Sequence, residues 1–90
     1  MYFEWDSNKA KINKNKHAVS FEEATSIFGD ALSITFNDPQ HSIDEIRYLT
    51  FGQSKNGKLL VVSHTEIDMK IRIISARVAT KNERIIYEKG

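Results

Sequence analysis

Ninety residues suffice for one small domain with a single modest core, so residues 1–90 are read as one domain. At 40% hydrophobic and 28% charged the composition is that of an ordinary globular chain, and the lack of cysteine excludes a disulfide framework and thiolate metal sites. The formal net charge of +1 hides a segregation into +2 over residues 1–20, −6 over 21–45 and +5 over 46–90, which would give a positive surface able to attract a polyanion if the two basic segments meet.

The chain opens on a short aromatic strand, Met1 to Trp5, after which Asp6 offers an N-cap for a helix to about Asn15. Ser20-Phe21-Glu22-Glu23 has the form of a capping box, and the helix it starts runs to Ile27 or Phe28 with Phe21, Ala24, Thr25 and Phe28 on one face. Gly29-Asp30 ends that helix. Leu32, Ile34 and Phe36 then alternate with Ala31, Ser33 and Thr35 as in a half-buried strand, and Asn37 to Gln40 turns the chain.

Ile46 to Phe51 reads as a strand ended by Gly52, and Asn56-Gly57 marks a tight hairpin into a return strand from Leu59 to Thr65. Glu66 to Met69 connects to a strand over Lys70 to Val78. The runs Leu59 to Val62 and Ile71 to Ala76 do not alternate cleanly, which points to central strands covered on both faces. A second capping box, Thr80-Lys81-Asn82-Glu83, opens the last helix, which should turn Ile85 and Ile86 to the sheet. The expected class is α+β, an antiparallel sheet packed by helices in the order β-α-α-β-β-β-β-α.

No stretch approaches the ~18–20 apolar residues of a membrane span, and the acidic start lacks the pattern of a secretory signal, so the expected location is the cytoplasm. The four glycines sit at scattered turn positions and form no phosphate loop or nucleophile elbow, and His17, His41 and His64 are too far apart in sequence to argue for a metal.

Arg72 and Arg77 are costly inside an apolar strand without partners, so an anion site is the first expectation. Their separation of five residues is odd in a two-residue period, so they cannot share a face unless a bulge intervenes; one could instead be structural, paired with Glu45 or Glu83. Lys16-His17 ends the first helix, either as a simple cationic cap or as a general acid or base beside a positive groove. His64 is either a satisfied core histidine or a substrate contact. Trp5 and Tyr87 are either packing residues or platforms on which a base stacks.

Phe3-Glu4-Trp5-Asp6 with Lys9, Asn13 and Lys16-His17, then Val19 to Ala24, Glu45-Ile46-Arg47 with Gly52, Leu60-Val61-Val62 with His64-Thr65, and Arg72 to Arg77 with Ala79, Glu83-Arg84 and Tyr87-Glu88 together resemble the BrnT ribonuclease toxins of type II toxin–antitoxin systems. The likeness spans nearly the whole chain in order. It departs at Ala18, where the family usually has Gly after Lys-His, and at Ser7, where it commonly has Pro.

The resemblance implies a compact RelE-like fold and a metal-independent endoribonuclease, without cofactor, that slows translation. It also implies neutralisation by a BrnA-like antitoxin, with operator DNA contacted only through the antitoxin complex, and is compatible with a dimer of toxin–antitoxin heterodimers. On this reading the catalytic candidates are His17, Arg72, Arg77 and Tyr87, and the substrate contacts are Lys16, Trp5, Glu83, Arg84 and His64. The competing class is a module that binds nucleic acid or protein without turnover.

Overall fold

Asp6 starts the first helix as a short acceptor side chain should: its carboxylate accepts from the backbone N–H of Asn8 at 2.8 Å and of Lys9 at 3.1 Å. From that cap the helix α1 spans Ser7–His17. In the computed structural model, which describes residues 2–90, it follows the strand β1 (Tyr2–Glu4), and the chain continues through α2 (Phe21–Thr25), β2 (Ile34–Asn37), β3 (Arg47–Gln53), β4 (Leu59–Ile67), β5 (Lys70–Val78) and α3 (Lys81–Lys89). The expected order of elements is the one found. Met1, assigned to the first strand from sequence, lies outside the described residues.

The five strands form one sheet in the order β1-β5-β4-β3-β2. Every pair is antiparallel except β1 with β5, so the sheet is mixed, closed at one side by the two ends of the chain. One face carries Leu60, Val62, Ile71, Ile73 and Ala76 against Val19, Phe21, Ala24 and Ile27. Gly52 lies within β3 rather than at its end. A Cβ there would stand 2.9 Å from Ile27 Cβ and 3.1 Å from Ile27 O, so its bare backbone is what lets the 3₁₀ turn Ser26–Gly29 settle onto the sheet.

The non-alternating runs have two different causes. β4 is central and buried on both faces through Leu59, Leu60, Val61 and Val62. β5 lies second from the edge and is covered on one face only. Its register passes from His64↔Ile73 to Ser63↔Ser75, leaving Ile74 as an extra, bulged residue. β4 runs two residues further than expected, and β5 covers the expected Lys70–Val78; the two are joined by Asp68 and Met69 alone, both at positive φ.

Two helix expectations change. At α2 only half the capping box forms: Ser20 Oγ accepts from Glu23 N–H, while the Glu23 carboxylate accepts from Ser54 Oγ at 2.7 Å. α3 buries no side chain, and Ile85 and Ile86 stay 42% and 45% exposed. The face of α3 that meets the sheet bears Glu83 and Tyr87, one turn apart, which sends Ile85 to the opposite side. α1 lays Ala10 against the core but fully buries only Asn13.

That carboxamide does the work of a strand. Beyond Arg72 the edge of β5 has no β1 residue beside it, and Asn13 Nδ2 donates to Ala76 O at 2.8 Å while Asn13 Oδ1 accepts from Ala76 N–H at 3.0 Å. A third bond, Nδ2 to Val19 O at 3.0 Å, fixes the link between the first two helices. At that link Ala18 is left-handed, with φ 59° and ψ 26°.

His64, proposed from sequence as a substrate contact or a core residue, is fully buried. Its Nε2 pairs with Thr50 Oγ1 at 2.7 Å, and its ring lies between Phe28 and Tyr48. Burial pushes its pKa down to about 4, so it is a neutral side chain of the core.

Three measurements follow from this packing. Asn13→Ala orphans Ala76 N–H and two carbonyls and should lower the unfolding free energy in urea by about 3–5 kcal/mol. Ala18→Gly relieves a left-handed alanine and should raise it by about 1 kcal/mol. Because His64 binds its proton more weakly folded (about 4) than unfolded (6.5), its contribution is complete above pH 6.5. It is lost as pH falls to 4, by about 3 kcal/mol, a slope that His64→Gln should flatten.

Candidate active site

The Ile74 bulge decides where the arginines of β5 go. Before it, Ile71 and Ile73 point into the core; after it, Ala76 does. Arg72, Ser75 and Arg77 therefore share the outward face, as the sequence allowed only if a bulge intervened. The cross-strand register arranges that face in rows. Glu4, Arg72, Thr65 and Arg47 form one; Ser75, Ser63, Leu49 and Phe36 the next; Arg77, Val61, Phe51 and Ile34 the third.

α3 is fastened by the third row. Arg77 donates from both terminal nitrogens to the Glu83 carboxylate at 2.7 and 2.8 Å. Glu83 also completes the Thr80 capping box. The Arg77 hydrogen bonds hold the Glu83 pKa down at about 2, against the opposing effect of partial burial, and Glu83 in turn raises that of Arg77.

One turn on, Tyr87 Oη donates to Asp30 Oδ2 at 2.6 Å, and that bond raises the tyrosine pKa. Desolvation would raise the Asp30 pKa, but the Tyr87 hydroxyl and the N–H groups of Gln53 and Leu32 outweigh it and lower the value. The fork of Arg77 and the hydroxyl of Tyr87 are thus engaged inside the protein.

Arg72 is differently placed. Its side chain is 53% exposed, and its Nε donates to Glu4 at 3.0 Å. Together with Trp5, Lys9, Ile74 and the acidic Glu4 and Asp6 it lines a cleft of about 360 Å³. A second cleft, of about 190 Å³, is lined by Lys9, Lys16, His17, Ile74 and Ser75. Lys9 and Ile74 belong to both, so the two form one trough between α1 and the bulged edge of β5.

The trough brings together Arg72, Lys16, His17 and Trp5 from the sequence candidates. The Trp5 ring also packs edge-on against Phe21, 6.0 Å between centroids. It does not include Arg77, Glu83 or Tyr87, which lie with α3, nor the exposed Arg84. Lys9 and Arg47 were not singled out as site residues from sequence. Lys9 shares a helix face with Lys16, seven residues on, a signal that was available. Arg47 enters the first row only through strand register, which the sequence does not display. Among the described residues no three His, Asp or Glu side chains are grouped to hold a metal ion, and no helix is long and apolar enough to cross a membrane.

Comparison with known proteins places this geometry. The crystal structure of the Brucella abortus ribonuclease toxin BrnT superposes with a TM-score of 0.71 at 19% identity, covering 90% of this chain and 99% of the other, which establishes a common fold. No curated protein matches significantly in sequence. The family model described as "Ribonuclease toxin, BrnT, of type II toxin-antitoxin system" matches residues 5–83, from the tryptophan of the trough to the glutamate that holds α3, and the chain therefore belongs to that family of ribonuclease toxins.

Proposed function

We propose that the trough between α1 and β5 is where this toxin cuts RNA, using the RNA's own 2′-hydroxyl as nucleophile and no metal. The observation that carries this reading is the sharing of Lys9 and Ile74 by the two clefts, which sets the Arg72 guanidinium, the Lys9 and Lys16 ammonium groups and the His17 imidazole along one groove.

Attack of the 2′-oxygen on the adjacent phosphorus breaks the bond to the 5′-oxygen and leaves a cyclic phosphate. His17 accepts the 2′-hydroxyl proton, and the departing 5′-oxygen takes a proton from Lys16 or solvent. Arg72, with the lysines, stabilises the charge that grows on the phosphoryl oxygens. Trp5, on the wall of the groove, offers a ring edge to a base. Arg77 and Glu83 act at one remove, by holding α3 against the sheet, and Tyr87 fastens the same helix rather than transferring a proton.

In the cell this activity would slow translation in the cytoplasm until a BrnA-like antitoxin covered the basic groove. Operator DNA would be contacted only through that complex, with a dimer of heterodimers as its form. The internal engagement of Arg77 and Tyr87 favours a second reading, a binding module without turnover.

Purified protein incubated with messenger RNA in EDTA separates the two. Cleavage to cyclic-phosphate and 5′-hydroxyl ends is expected. Arg72→Ala and His17→Ala should each lower the rate by ~10²–10³-fold with unchanged melting temperature. RNA bound but left intact by the wild-type protein would establish the module instead.

A further inference from the structure

We propose that the row Arg47–Thr65–Arg72 on the outward sheet face is a seat for a backbone phosphate of the RNA other than the one being cut. The inference rests on the ribonuclease reading above and names a second contact with the same substrate.

Two atoms carry it. Thr65 is 1% exposed, and its hydroxyl has no hydrogen-bond partner among the described residues. Arg47 Nε, on the neighbouring strand, is also buried without one; its ion-pair partner Glu45 stands 3.6 Å away, too far for a hydrogen bond. Buried polar groups are nearly always satisfied, and of the three buried side-chain atoms left unpartnered among the described residues, His64 Nδ1 faces the core while these two donors stand on facing residues, open to an acceptor from outside the chain. Both can donate, and their complement is an oxyanion.

The register puts them together. Thr65 stands opposite Arg47 on one side and Arg72 on the other, pairs whose Cβ atoms are ~4.5–5.5 Å apart in a regular sheet. The hydroxyl therefore stands on the strand between two arginines, whose present carboxylate partners are Glu45 and Glu4, and the three donors together suit a tetrahedral phosphate. In the next row β4 and β5 offer Ser63 and Ser75, both half-buried and small, while β3 places Leu49 beside the Arg47 end.

Arg77 lies two rows on, about 13 Å along the strand direction, and cannot hold the same phosphate. Arg72 belongs both to this row and to the trough, so a strand of RNA lying in the trough passes the seat.

The probe is a short 2′-O-methyl oligoribonucleotide, which 2′-attack cannot cut, with binding read by fluorescence anisotropy across a salt series. Thr65→Val should bind about tenfold more weakly without losing thermal stability, and Thr65→Ser should bind as the wild type does. Arg47→Gln should weaken binding and make the slope of log K against log salt shallower by about 0.7. Wild-type affinity in Thr65→Val with a raised melting temperature would mean an orphaned hydroxyl and no seat. An unchanged salt slope in Arg47→Gln would overturn the proposal equally. Should the wild-type protein fail to cut ordinary RNA while these variants behave as stated, the cleavage mechanism falls and the seat stands.

Discussion

The three hydrogen bonds of the Asn13 carboxamide hold the parts of this protein in relation to one another. α1 has no apolar stripe beyond Ala10 with which to dock, and hydrophobic burial alone does little to place it. A buried amide that supplies one donor and one acceptor to the bare edge of β5, and a further donor to Val19 O, places it by geometry instead. Each of those backbone groups would otherwise be buried and unpaired, a cost of ~1–3 kcal/mol apiece. Because the polar attachment is made through one side chain, the rest of the helix is left to carry Lys9, Lys11, Lys14, Lys16 and His17 with no acidic residue among them. Structural economy at position 13 is what makes a basic helix beside the strand edge affordable.

The outward arginines follow a related logic. Each faces a carboxylate: Arg72 has Glu4, Arg47 has Glu45 and Arg77 has Glu83. The pairs are not equal. Arg77 and Glu83 form a bidentate, partly buried bond that orders α3, whereas Arg72–Glu4 is half exposed and of the kind worth under about 1 kcal/mol, readily exchanged for a stronger anion. A surface built this way is close to neutral at rest and positive once a polyanion displaces the weaker carboxylates.

How much of this the sequence displayed can be told residue by residue. The caps and turns were legible because they are local: Asp6, Ser20, Thr80 and Asn56-Gly57 each satisfy or bend their own neighbours. The Ile74 bulge was visible only as a broken alternation, which a central strand would also produce. The parallel docking of β1 on β5, the role of Asn13 and the row containing Arg47 all join residues far apart in the chain, and no local pattern encodes them. Ile85 and Ile86 misled because their spacing suggests an apolar stripe, while the helix is held by Glu83 and Tyr87 through polar contacts.

The parallel pairing of residues 2–4 with 70–72 has a consequence for the order in which the molecule comes into being. The two walls of the trough lie far apart in sequence, and loop closure over nearly seventy residues must precede its assembly. A nascent chain still lacking β5 has the lysines and the histidine but nothing to set them against. The groove exists only in a chain that has closed this loop.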